Sequence, residues 1–129
     1  KNKKIGISVI LNLVIITVLN QLLKRIVQRP RPTEFRIVEE SGYSFPSGHS
    51  MVSMAFYGYL IYLIYKYVKN KYLKWISIIL LSILICSIGI SRIYLGVHYT
   101  SDVLAGFMIS ISYLIIYISA VNKFFIKDE

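Results

Sequence analysis

With 129 residues, 56% of them hydrophobic, and a mean hydropathy of +0.62, the chain is long enough for one domain and too apolar for a water-soluble one. A net charge of +9 raises nucleic acid as a partner, but the basic residues stand at the ends of apolar runs, where anionic lipid head groups account for them, so no nucleic acid is expected. One cysteine and two histidines exclude a disulfide framework and a Cys/His zinc site.

The first uncharged run, 5–23, follows the basic flank Lys1, Lys3 and Lys4. Its length suits a bilayer-crossing helix, which takes roughly 17 to 25 residues. The polar Asn20, Gln21 and Lys24 stand where a secretory signal would carry small residues for cleavage. A helix over 5–25 is predicted, closed by Lys24. Asn12, Asn20 and Gln21 are expected to hydrogen-bond between helices, with Asn20 and Gln21 near enough to Lys24 to line a site. Pro30 and Pro32 then forbid helix and hold the Arg-Pro-Arg-Pro run of 29–32 extended. A stiff segment suits a phosphate clamp, because less entropy is lost on binding, and Arg31 is the clamp residue.

Pro46, Ser47, Gly48 and His49 read as a helix opening. Serine is a good N-cap, glycine permits close backbone approach, and the free N–H groups of a helix start point at an anion. His49 would sit beside a bound phosphate, able to protonate a departing oxygen and then to activate water. The helix that follows is predicted over 48–68. Tyr62, Tyr65, Tyr67, Tyr72 and Trp75 crowd the next turn as an interfacial belt.

A third helix is predicted over 71–90, with Cys86 as a small apolar filler and Ser87 and Ser91 as points of close helix approach. Arg92 adds a third cation to Lys24 and Arg31, enough to neutralise a phosphate and the charge that spreads over its equatorial oxygens during transfer. His98 and Asp102 are four apart, which on a helix places them on one face. The carboxylate can then accept the proton of one ring nitrogen, leave the other free to attack, and stabilise the ring as it becomes positive. A fourth helix is predicted over 99–124, with Gly106 and Ser110 as small packing residues.

Four spans put both termini on one side. Nine basic residues fall with the termini, Lys1, Lys3, Lys4, Lys66, Lys69, Lys71, Lys74, Lys123 and Lys127, against six opposite, Lys24, Arg25, Arg29, Arg31, Arg36 and Arg92. The positive-inside tendency places the termini in the cytoplasm. All five arginines lie on the outer side, and planar, multidentate recognition of phosphate favours arginine over lysine. An outward-facing anion site is therefore expected.

Lys24 with Arg31-Pro32 after six residues, then Pro46-Ser47-Gly48-His49, then Ser91-Arg92 with His98 after five residues and Asp102 after three more resemble the three-part signature of the type 2 phosphatidic acid phosphatase family, matched in order and spacing over 24–102. The resemblance implies an all-α membrane helix bundle. It implies His98 as a nucleophile that forms a phosphohistidine, Asp102 as its orienting group, and His49 as general acid and base. Lys24, Arg31, Arg92, Ser47 and Gly48 would form the phosphate-binding shell, with no metal and no cofactor. The family also includes vanadium haloperoxidases, in which vanadate occupies the phosphate site.

Membrane members of that family have six spanning helices, whereas four are legible here. The chain, which begins at Lys1 without an initiator methionine, is therefore expected to be a partial version of the six-helix fold. It would form a single transmembrane phosphatase domain over 1–129, with two helices preceding Lys1. The expected function is hydrolysis of a lipid phosphomonoester or diphosphate, such as undecaprenyl diphosphate, phosphatidylglycerol phosphate or phosphatidic acid, at the outer face of the plasma membrane. Its partners would be the lipid substrate and membrane lipids. Head-group selection falls to the 33–45 loop, with Glu34, Glu39 and Glu40. Alternatives are a phosphatase of soluble phosphate esters, a vanadate-dependent haloperoxidase, and a non-catalytic subunit that binds anionic lipid. The sequence does not specify an oligomeric state.

Overall fold

The computed structural model describes residues 2–126. Four helices account for its regular structure: α1 (Asn2–Val27), α2 (Gly48–Tyr67), α3 (Lys71–Tyr94) and α4 (Thr100–Phe124). The all-α bundle is as expected, and the described residues hold no strand. Local chemistry sets the starts of two helices. Ser47 caps α2 by accepting the Ser50 N–H at 3.3 Å, and Asn70 caps α3 by accepting that of Leu73 at 3.0 Å, each cap worth about 1 kcal/mol.

Three helices, α1, α3 and α4, are long and apolar enough to cross a membrane. The 20-residue α2 carries His49, Ser50, Ser53 and Lys66 among its apolar residues. It is the inner helix: α1, α3 and α4 all pack against it, while α1 and α3 do not touch among the described residues. Its surface meets protein more than lipid, which is why polar residues are tolerated there. The gap between α1 and α3, floored by α2, becomes important below.

Small residues bring the helices together. A Cβ on Gly106 would lie 3.3 Å from the Ser47 carbonyl and 3.2 Å from the Ser50 Cβ, and Ser110 donates to the Met51 carbonyl at 2.8 Å, so the predicted pair in α4 does seat against α2. In α3 the close approach is made by Gly89, where a Cβ would fall 2.6 Å from the Phe107 ring. Ser87 is exposed and, like Ser91, bonds back to its own helix, because a serine hydroxyl facing lipid has no other acceptor. Cys86 is also exposed and fills no core space.

Polar side chains pin the buried faces. Asn12 donates to the Ala55 carbonyl at 2.9 Å and accepts from the Tyr113 hydroxyl at 2.6 Å, linking α1, α2 and α4. Ser8 meets the Tyr59 hydroxyl at 2.8 Å, and Tyr117 donates to the Ser8 carbonyl. In a membrane such bonds are each worth roughly 0.6 to 1.7 kcal/mol. Asn12→Leu removes two of them and leaves the Tyr113 hydroxyl only its 3.4 Å contact with the carbonyl of residue 12, so unfolding in detergent should show a loss of about 1–2 kcal/mol. Asn12 precedes Lys24 by 12 residues, about 18 Å along a helix, so the geometry around His98 should be unchanged.

Candidate active site

The C-terminal ends of α1 and α3 and the N-terminal ends of α2 and α4 meet at one end of the bundle, together with the segments 28–47 and 95–99. The turn after α3 depends on Gly96, whose φ is +76° and whose added Cβ would sit 2.5 Å from the Phe35 carbonyl oxygen. Leu95 accepts the Ile37 N–H at 2.8 Å, and this docking buries Val97 and leaves His98 only 4% exposed.

His98 and Asp102 do meet, though not along a helix face. The chain at His98 is not yet helical: α4 begins at Thr100 with Tyr99 as its N-cap. Asp102 occupies the third helical position, and its Oδ2 turns back to accept the Tyr99 N–H at 2.8 Å. Capping therefore aims the carboxylate at the preceding residue, and His98 Nδ1 lies 3.4 Å from Oδ2.

The other ring nitrogen, Nε2, lies 3.1 Å from Arg31 Nη1. Guanidinium has no acceptor, so this contact requires a lone pair on Nε2 and assigns the ring proton to Nδ1, facing Asp102. Nε2 is thus the ring nitrogen that carries the lone pair. Burial, followed by the charges of Arg31 and Lys24, lowers the His98 pKa to about 4 despite the opposing Asp102. Burial and the two cations thus favour the neutral imidazole.

Fully buried Asp102 is held by more than the Tyr99 cap. Ser44 donates its hydroxyl to Oδ2, and Arg29 Nη1 pairs with Oδ1 at 2.7 Å. Sequence reading missed both residues: Arg29 was sorted only by its side of the membrane, although it shares the stiff Arg-Pro-Arg-Pro segment with Arg31. Ser44 carried no signal of its own.

Lys24 Nζ donates to the Tyr43 carbonyl at 2.9 Å, and Arg31 Nε to that of Ser41 at 3.2 Å. Arg92 Nη1 lies 3.5 Å from Glu40 Oε1, while its buried Nε has no partner among the described residues. Ser47 is fully buried as the α2 cap, and its N–H reaches the Asp102 carbonyl, so it supports the site from behind. Gly48 has little room for a side chain: a Cβ would lie 3.2 Å from Asn20 Oδ1. Asn20 itself donates to the Pro46 carbonyl at 3.1 Å, tying α1 to the start of α2.

Beside them lies a cavity of about 530 Å³ in the gap between α1 and α3, which neither Arg92 nor Ser47 lines. Lys24, Arg31, Glu40, Gly48, His49 and His98 line its polar end, with the predicted Asn20 and Gln21 beside them. Leu13, Val52, Phe56 and Ile88 line the other. Leu13 precedes Lys24 by 11 residues, about 16 Å along α1. A phosphate at the polar end would therefore have an apolar channel beneath it, reaching into the depth of the bilayer.

Residues 5–126 match the family model of the PAP2 superfamily. The chain belongs to the PAP2 superfamily. Among PAP2 relatives, phosphatidylglycerophosphatase B of Bacillus subtilis is 41% identical over 95 residues, covering 72% of this chain and 46% of its own length. An undecaprenyl-diphosphatase of Sulfolobus acidocaldarius is 31% identical over 128 residues, 93% of this chain and 58% of its own. The crystal structure of a transmembrane PAP2-type phosphatidylglycerolphosphate phosphatase from Bacillus subtilis superposes with a TM-score of 0.83 at 33% identity, covering 92% of this chain and 60% of that one. The chain thus spans about half the length of the PAP2 relatives it matches. With three membrane-crossing helices and a transmembrane PAP2 structural relative, it is an integral membrane protein.

Proposed function

We propose that this protein is a lipid phosphate phosphatase that hydrolyses a phosphomonoester or diphosphate lipid through a phosphohistidine. The observation that carries this reading is His98 Nε2, in contact with Arg31, at the head of a cavity whose far end is apolar. A head group can meet the cations there while its tail stays among Leu13, Val52 and Phe56. The names of the relatives, a phosphatidylglycerophosphatase and an undecaprenyl-diphosphatase, point to the same substrate class.

The reaction divides into two transfers. Arriving phosphate draws Arg31 off Nε2, and Lys24 and Arg31 in the cavity wall share its charge with Arg92, which reaches it by leaving Glu40, while the N-terminus of α2 at Gly48 adds a positive dipole. Nε2 then attacks phosphorus, the bond to the lipid oxygen breaks, and His49 gives that oxygen its proton. The phosphorylated ring is cationic, and Asp102 stabilises it through the Nδ1 proton. In the second transfer His49 takes a proton from water, the resulting hydroxide displaces Nε2 from phosphorus, and inorganic phosphate leaves. The three cations and the imidazole supply all the charge these steps require, with no metal and no cofactor.

Among the described residues Glu40 is the one acidic residue lining the cavity, and it lies against Arg92. Its carboxylate opposes an incoming anion, so Glu40→Gln should tighten competitive inhibition by inorganic phosphate. Even at the dielectric of bulk water, one charge about 4 Å away is worth about 1 kcal/mol, or about fivefold. An unchanged or weaker inhibition constant would show that Glu40 acts by holding Arg92 in place.

The basic-residue sorting supports a site on the outer face of the plasma membrane, with the termini in the cytoplasm. A soluble-ester phosphatase or a haloperoxidase gains no support from the apolar end of the cavity. Turnover of a lipid phosphate compared with a short water-soluble ester separates these from the lipid reading, and release of phosphate in excess chelator tests metal independence. No phosphate released from undecaprenyl diphosphate, phosphatidylglycerol phosphate or phosphatidic acid by the intact protein in detergent would end the lipid assignment.

A further inference from the structure

We infer that Arg29 is a positioning residue for this reaction: it grips Asp102 by the oxygen that faces away from His98, and so sets both the aim and the strength of the carboxylate behind the nucleophile. The inference rests on the proposed role of His98. Arg29 Nη1 lies 2.7 Å from Asp102 Oδ1 and 2.7 Å from the Ser101 hydroxyl. The guanidinium carbon stands 4.7 Å over the Tyr99 ring and 5.9 Å over that of Phe45, so the cation is clamped between two aromatic faces.

The backbone completes the clamp. Ser44 donates its N–H to the Arg29 carbonyl at 2.8 Å, and the same serine's hydroxyl donates to Asp102 Oδ2. Arg29 on one carboxylate oxygen, with Ser44 and the Tyr99 N–H on the other, leave the carboxylate little freedom to rotate. Oδ2 is thereby held toward His98 Nδ1 at 3.4 Å. That spacing is too long for a full hydrogen bond, so the carboxylate is aimed at the ring without being committed to it.

The consequence is a trade between two cations for one anion. A guanidinium already paired with Asp102 weakens its pull on the phosphorylated, cationic ring. The intermediate is then stable enough to form and not so stable that water cannot discharge it. Arg29 does not line the cavity, and its Nη1 is taken up by Asp102 and Ser101, so its effect on the reaction passes through Asp102. The other charges acting on His98 are Arg31 and Lys24, which oppose its protonation, and Asp102, which favours it.

The test measures kcat and KM for a lipid phosphate with Arg29→Met and Arg29→Lys, and follows the His98 ring by NMR in a His49→Asn background, where one histidine remains. Arg29→Met should lower kcat by about ten- to a hundredfold with KM nearly unchanged, the size expected when a reacting group loses its alignment. It should also raise the His98 titration point by about half a pH unit or more, because Asp102 then faces the ring without a competing cation. Arg29→Lys, which keeps the charge but not the fork, should hold the titration point and recover part of kcat. A rise in KM alone would overturn the inference by making Arg29 a phosphate ligand. Lost thermal stability with an unmoved His98 titration would overturn it by making Arg29 a structural tie. Equal activity of the unsubstituted protein and His98→Ala would sink the parent reading and this inference with it.

Discussion

Phosphate release is expected to fall by at least about 10⁴-fold in His98→Ala, the scale on which loss of a covalent nucleophile registers in kcat. The reason is positional. Nε2 is the ring atom with the lone pair, which only Arg31 occupies, it heads the cavity, and its partner nitrogen faces a buried carboxylate. His49 also lines the cavity, but nothing comparable stands behind it, so it cannot take over the attack. Binding of substrate should survive, since Lys24, Arg31 and Arg92 are untouched. Unaltered turnover in His98→Ala would instead favour the non-catalytic, anionic-lipid-binding alternative.

Arg31→Ala carries the second large effect, and it is double. Removing one preorganised donor from a phosphoryl-transfer site lowers kcat/KM by about 10²- to 10³-fold. The same change lifts a positive charge from His98 Nε2, so the pKa of that ring should rise from about 4 toward its ordinary 6.5. The sign extends to stability. In the unfolded chain His98 takes up its proton near pH 6.5, whereas the folded protein resists until about pH 4, so the unfolded state binds more protons across that window. The native state should lose stability as the pH falls from about 6.5 to 4. In Arg31→Ala the folded pKa is closer to the unfolded one and that loss should be smaller. NMR titration of the His49→Asn protein, with and without Arg31→Ala, reads the shift directly.

The four helices were legible as long runs without charged residues, 5–23, 41–65, 75–91 and 103–122, but four spans were expected and α2 is not among the three helices long and apolar enough to cross a membrane. Which helix lies innermost was not legible: the polar residues of α2 are tolerated because three neighbours cover it, and that is a fact of packing. The residues of the candidate site were legible through short motifs of fixed spacing. Their geometry was less so. A four-residue spacing suggested a pair on a helix face, whereas His98 precedes the helix and Asp102 reaches back to it as part of a cap.

Arg29 and Ser44 escaped notice because they act on Asp102 across more than fifty residues of chain. The Arg-Pro-Arg-Pro segment offered two guanidinium groups, and only Arg31 was assigned a task. Similarly, Glu40 could be placed in a selecting loop, but its position in the cavity wall beside Arg92 depends on how that loop folds over α3. Gly89 stood in an uncharged run that also holds Ser77, Ser82, Ser87 and Ser91, and nothing in the run marks which small residue meets α4.

The decisive experiment is a rapid-quench reaction of the protein with terminally ³²P-labelled undecaprenyl diphosphate, followed by digestion and mass spectrometry of labelled peptides. A diphosphate leaving group needs little help from an acid, so His49→Ala should still accept the label and then fail to discharge it. The expected result is an acid-labile, alkali-stable phosphate on Nε2 of His98, transient in the unsubstituted protein and accumulating in His49→Ala. Phosphate release with no labelled protein in either, or label on any residue other than His98, would contradict the histidine mechanism.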